Sequence, residues 1–218
     1  MSSSQTLSGS GDDGTHDVVI RNLKIALLLT LVVTVGILIY GTFVTYSKTP
    51  PLPGRFTDPQ GQVLMTGPGV VAGKAAFQEA DLMDYGSIYG MGSYFGEDYT
   101  AQFLHALGRH TEQALAQARY GKSLRALTPG QRYTVRATMR EELQGIPLRH
   151  TLVVLPQALS NALRQVRAQA VRELLHNHFA HGWTRPGGFD HAKARRLANF
   201  LIYSAMTTIA RRPGRTFS

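Results

Sequence analysis

The chain has 218 residues, 43% hydrophobic and 17% charged, with a formal net charge of +9. It is too apolar for general disorder and long enough for one ordinary domain with an appendage. Cysteine is absent, which excludes disulfides, thiolate zinc sites, iron–sulfur clusters, a cysteine nucleophile and thioether-attached haem, and the scattered basic residues give no grip for nucleic acid.

Residues 1–17 are mostly Ser, Gly, Thr and Asp, too polar to offset chain entropy by burial, and a flexible tail is expected over 1–22. Ile25 to Tyr46 then runs without a charge. As a helix this run is about 33 Å long, against a hydrocarbon core of roughly 30 Å. A transmembrane helix over 23–47 follows, with the lipid bilayer as its partner. A cleaved signal peptide would have a shorter apolar core ending at small residues, whereas this run ends in Tyr46, an interfacial anchor. Arg21 and Lys24 before the helix, set against Lys48 and Arg55 after it, favour a cytoplasmic N-terminus, although long following domains do not obey the positive-inside rule.

Pro50, Pro51 and Pro53 form a stiff linker into a water-facing domain over 48–218. Asp58-Pro59-Gln60-Gly61 is a turn between β-prone stretches and predicts a small β-hairpin. A short helix fits Gly69 to Ala80. Gly86, Gly90, Gly92 and Gly96 then break regular structure in a segment that also holds Tyr85, Tyr89, Tyr94 and Phe95. Two amphipathic helices follow, one carrying Phe103, Leu104, Leu107, Ala114, Leu115 and Ala118, the other Leu159, Leu163, Val166, Ala170 and Leu174 behind Pro156. The last helix has Asp190 as N-cap and Ala194, Leu197, Ala198, Leu201, Ile202, Ala205 and Ile209 on one face. The fold class is mainly α, a transmembrane helix followed by a helical domain with a small hairpin.

The chemical constellations are sparse. His176, His178 and His181 suggest a metal site, but on a helix His176 leaves the face that the other two share, and those two continue the stripe that ends at Leu174. Glu141-Glu142 lies beside arginines on a solvated helix surface, and Asp81 and Asp84 flank a turn, so no carboxylate pair for acid–base work emerges. Neither Gly67-Pro68-Gly69 nor the Gly86 to Gly96 stretch has the spacing of a phosphate loop. Met91 between two glycines could suggest a haem axial ligand, yet it lacks a histidine partner, and ordinary packing is the expectation. The residues alone therefore supply no catalytic or metal site.

A resemblance goes further. Asp58 to Gly67, Ala72 to Gln78, the LMDYGS of Leu82 to Ser87 and Thr100 to His105 occur in the order seen in the N-terminal region of quinol-dependent nitric oxide reductases. The likeness runs from Pro50 to Leu107 and returns over Leu197 to Ser218. The chain differs at Tyr203-Ser204-Ala205-Met206 and at Gly145 to Arg149. The family's domain is similar to the cytochrome c subunit of related reductases, whose CxxCH and GxGxY would fall on Leu82 to Gly86 and Gly90 to Tyr94.

The resemblance implies a cytochrome c-like periplasmic domain without haem, anchored in the bacterial inner membrane. Its signature residues are Leu82, Met83, Asp84, Tyr85, Gly86, Gly90, Gly92 and Tyr94, with Leu82, Met83 and Tyr85 filling the former haem space. It also implies a non-catalytic part of a quinol-type reductase that converts NO to N2O, either a fragment or a split subunit. Haem and non-haem iron would belong to a polytopic catalytic partner, and no cofactor to this chain. Two alternatives stay open: a membrane-anchored binding or assembly module unrelated to NO reduction, and an enzyme with an unrecognised site.

Overall fold

The computed structural model describes residues 13–48, 50–93, 96–176 and 189–210. The chain divides into two units, Met1–Thr49 and Pro50–Ser218.

The first unit contains one helix, α1 (Asp13–Lys48). Within its stretch Asp17–Ser47 an 18-residue window has a mean hydropathy of 2.4 with none of that window buried, and the helix is long and apolar enough to cross a membrane. Leu27 and Phe43 are 73% and 74% exposed. A helix apolar all round, without a core-facing stripe, matches a hydrocarbon surrounding. Three of its hydroxyls bond back into the helix, Thr30 donating to the Ala26 carbonyl at 2.9 Å, Thr45 to the Gly41 carbonyl at 2.8 Å and Ser47 to the Val44 carbonyl at 2.8 Å. The flexible tail expected over 1–22 is corrected from Asp13 onward, where the chain is already helical. Once the apolar run has nucleated a helix, each further residue adds one hydrogen bond for one residue fixed, so polar composition alone does not stop it.

The second unit is mainly helical, as expected. Strands β1 (Arg55–Thr57) and β2 (Val63–Thr66) form the anticipated antiparallel hairpin. Asp58 closes its turn by accepting from the backbone N–H of Gln60 (3.0 Å) and Gln62 (2.8 Å) and pairing with Arg164. Burial pushes the Asp58 carboxyl up, but Arg164 and the two N–H donors outweigh it and hold the group below the ordinary carboxylate range. A third strand, β5 (Leu152–Val154), lies parallel to β1 at the other edge. Three residues are too few for alternation to show, and nothing in the sequence betrays β5.

Thr66 caps helix α2 (Gly67–Glu79) by accepting from Gly69, with a proline in the first turn, so the helix opens two residues ahead of the expected Gly69. Asp98 caps α3 (Tyr99–Tyr120), and Thr128 with Gln131 forms a capping box at the start of α4 (Pro129–Gln144). Helix α5 (Gln157–Leu175) buries the whole predicted stripe from Leu159 to Leu174. Helix α6 (His191–Ile209) starts at the expected cap, Asp190, which accepts from Lys193.

Helix α6 is the centre of the core and packs against α2, α3 and α5. Leu197, Ala198, Leu201, Ile202, Ala205 and Met206 are all fully buried. The approach of α2 depends on Gly73, where any Cβ would overlap the Arg196 carbonyl. Phe77 fills the remaining space between Phe200 and Tyr99, with ring centroids 5.5 and 5.8 Å away.

Two expectations fail on α3 and α4. Ala114 and Ala118 are not core residues but line an open groove of about 490 Å³ with Gln117, Asn161, Arg164 and Gln165. There α3 leaves the main core and turns Ala116 into a small cluster with Leu127 and Val135. Glu142, expected on a solvated surface, is half-buried, with one carboxyl oxygen lacking a hydrogen-bond partner. Burial and neighbouring Glu141 push its carboxyl up.

Candidate functional site

The segment 81–98 joins α2 to α3 and carries the signature residues. Asp81 takes the left-handed conformation (φ 52°) that turns the chain out of α2, and a single tight turn, Leu82–Asp84, follows. Aspartate tolerates that region better than most residues because its short side chain bonds locally. Leu82 then points into the core and is 1% exposed, while Met83 and Tyr85 pack half-buried against the same core. Asp84 stays in water. The Tyr99 hydroxyl donates to the Leu82 carbonyl at 3.3 Å, and burial together with Glu97 pushes that phenol up to about 12.

Glycines let the backbone cross itself here. A Cβ on Gly86 would stand 2.6 Å from the Glu97 carbonyl and 2.7 Å from the Tyr99 ring, and one on Gly96 would overlap the Tyr85 carbonyl. Gly92, at φ 130°, lies against the Gly86 carbonyl. A side chain at any of these positions would force the loop apart.

The stretch read as irregular contains a two-stranded hairpin, β3 (Ser87–Ile88) and β4 (Met91–Gly92). Its turn residues, Tyr89 (φ 56°) and Gly90 (φ 72°), both have positive φ, the pattern of a type I′ turn. Glycine adopts that backbone freely, while tyrosine does so at a cost of about 1–2 kcal/mol. The turn is held by its surroundings. Thr100 accepts from the Tyr89 backbone N–H at 2.9 Å, Asp98 from the Gly90 N–H at 2.8 Å, and the Tyr89 hydroxyl bonds Thr207 of α6 at 2.9 Å.

Asp98 does three things at once, accepting from Ala101 (2.9 Å), from the Ser87 hydroxyl (2.9 Å) and from Gly90. Burial pushes its carboxyl up, but these donors and the Thr100 N–H outweigh burial and hold it below the ordinary carboxylate range. Asp98 is not singled out by the sequence: an acidic residue directly before a helix is the one signal for its cap, and its grip on the hairpin has none.

The signature residues thus separate into two groups. Leu82, Met83, Tyr85 and Gly86 form the inward turn, whereas Gly90 sits at the outward hairpin tip and Gly92 at its base. Tyr94 lies outside the described residues, as do His178 and His181. His176 ends α5 in solvent, its Nδ1 2.7 Å from the Arg172 carbonyl. Among the described residues no three His, Asp or Glu side chains gather in a way that could hold a metal ion. Met91, expected to pack, is 61% exposed because the I′ turn carries it to the tip.

The haem that a cytochrome c-like domain implies does not fit this loop. Thioether attachment requires cysteines that the chain lacks, and at the matching positions the core is closed by Leu82 while Gly86 is wedged against Tyr99.

Residues 53–218 match the family model of the NorB cytochrome c-like domain of nitric oxide reductase. No curated protein matches the chain.

Proposed function

The chain belongs to the family of nitric oxide reductase NorB cytochrome c-like domains, and from that premise we propose that it is a non-catalytic, haem-free anchor domain of a quinol-type nitric oxide reductase. The observation that carries this reading is Leu82, 1% exposed where a haem-attachment motif would otherwise stand. A core closed by a leucine leaves no room for a cofactor, and removing that filling would be costly. Electrons then pass from membrane quinol to the haem and non-haem iron of the catalytic region without using this domain as a relay.

Reducing NO to N2O requires metal centres, held by histidines inside a helix bundle. The run from Ile25 to Tyr46 contains no histidine. The purified chain supplied with quinol therefore consumes no NO. Activity appears when the haem-bearing catalytic region is present, and deleting residues 48–218 impairs assembly of that region more than its chemistry. Quinol-driven NO consumption by the chain alone overturns the reading, as does normal assembly without the domain.

Topology follows from the same reading. Residues 1–22 lie in the cytoplasm, 23–47 cross the inner membrane, and 48–218 form the periplasmic domain. Protease added to spheroplasts should digest the domain and spare the N-terminal tail; a protected domain reverses the orientation.

A further inference from the structure

We infer that Arg164, Arg167 and Arg195 form a binding site for a phosphate group where α5 and α6 meet beside β2. The site goes beyond the anchor-domain reading and does not depend on it. Arg164 and Arg167 stand three residues apart on α5 and so share a face. Arg195 and Asn199 stand four apart on α6 and do the same. Asn199 joins the two faces, its Oδ1 3.4 Å from Arg167 Nη1, and the same Nη1 donates to the Leu64 carbonyl of β2. Arg167 is thereby held half-buried between the other two arginines. Burial first, and then the charges of Arg195 and Arg164, push its guanidinium down to about 10.

The positive charge is not matched from within the domain. Asp58 pairs with Arg164, which also donates to Gln62 at 2.8 Å. Among the described residues no carboxylate pairs with Arg167 or Arg195. The acidic groups on neighbouring elements are engaged elsewhere: Glu173 accepts from Gln169, Glu79 pairs with Lys193, and Asp190 caps α6. The bonds that Arg167 makes use Nη1 and leave the donors of Nε and Nη2 without a described partner. Like charges held this close repel, most of all where water is partly excluded, and an anion among them removes that cost.

The balance of charge sets the ligand. Three guanidinium groups less the one carboxylate of Asp58 leave two positive charges, which the roughly −1.5 to −2 of a phosphate monoester neutralises and a single carboxylate does not. Guanidinium groups also present their N–H donors as planar forks that match phosphate oxygens. The ligand is therefore a terminal phosphate, carried by a small molecule or by a lipid headgroup.

The test follows thermal unfolding of the full chain in dodecylmaltoside at fixed ionic strength. The additions are chloride, inorganic phosphate, or mixed micelles with phosphatidic acid or phosphatidylcholine. Expected is a saturable rise in melting temperature with inorganic phosphate or phosphatidic acid and none with phosphatidylcholine. Protection by inorganic phosphate supports the site with a small-molecule carrier; protection by phosphatidic acid alone supports it with a lipid headgroup. Arg195→Ala should weaken that binding about tenfold, the loss of a charge-assisted hydrogen bond. Arg132→Ala, which removes an exposed charge from α4, should leave it unchanged. In chloride Arg195→Ala should melt no lower than wild type, because it relieves repulsion on Arg167; a lower value would make Arg195 a structural residue and overturn its role. The site is also overturned by absence of protection, by protection that survives Arg195→Ala or is lost equally in Arg132→Ala, and by equal protection from phosphatidylcholine.

Discussion

The inward turn Leu82–Gly86 and the outward hairpin Ile88–Met91 are adjacent in sequence, share glycines and aromatic residues, and do opposite things. In the first, glycine lets backbone and an aromatic ring press together around a buried leucine. In the second, glycine allows half of a tight turn whose other half is a strained tyrosine, and the result is exposure of a methionine. One composition thus serves closure of the core in one place and presentation of a surface a few residues later. What separates the two is which neighbour each meets: Tyr99 and the core behind the turn, and Asp98, Thr100 and Thr207 beneath the hairpin.

The strongest way to break this contrast is at Leu82. Leu82→Ala should destabilise the domain by about 2–5 kcal/mol, the range for a large-to-small change in a packed core, seen as a lowered melting temperature of the chain in detergent. A melting temperature equal to wild type would mean that the turn does not close the core.

Asp98 joins both regions, and its loss should rank next. Asp98→Ala removes a helix cap, worth about 0.5–2 kcal/mol, and also frees the hairpin, so amide hydrogen exchange at Gly90 should accelerate while exchange at Leu107 changes far less. The pH dependence has a definite sign. Asp98 ionises more readily in the folded domain than in the unfolded chain, so its stabilising contribution is complete above the ordinary carboxylate value of 3.8 and is lost as pH falls through the lower folded value. Asp98→Asn should flatten that acid limb of the stability curve. Glu142 has the reverse sign: its raised value means that the ionised form costs stability as pH rises through it. Glu142→Gln should melt higher than wild type at neutral pH and equally under acid conditions below its ordinary value of 4.5.

Legibility in the sequence followed the same divide. Period 3.6 and caps gave α5, α6 and the N-cap Asp190, because those elements are long and their stripes are buried along one side. The turn at Asp58 was readable because Pro59 and Gly61 are local signals. The β3–β4 hairpin was not, since its strands are two residues each and its turn carries tyrosine where asparagine or aspartate would announce it. Asp98 and Thr100 act on residues ten or so positions earlier, a relation that only the fold creates. The inward role of Leu82 came from resemblance, not from spacing, and the exposure of Met91 contradicted the packing expected of an apolar residue between glycines.

A smaller effect sharpens the hairpin side. Tyr89→Gly relieves the backbone and loses the bond to Thr207, whereas Tyr89→Ala loses the bond and keeps the strain. The glycine variant should therefore be more stable than the alanine variant by about 1 kcal/mol in denaturant titrations. Equal stabilities would remove the strain from the account.

In the proposed reading, side chains such as Leu82 close the core where a cofactor would otherwise stand. The most direct test of that reading is the haem content of the 218-residue chain purified from its own membrane after separation from any catalytic partner, read by its visible spectrum and by pyridine haemochrome assay. Expected is no haem band, with the domain folded and melting cooperatively; one haem per folded chain would overturn the haem-free reading.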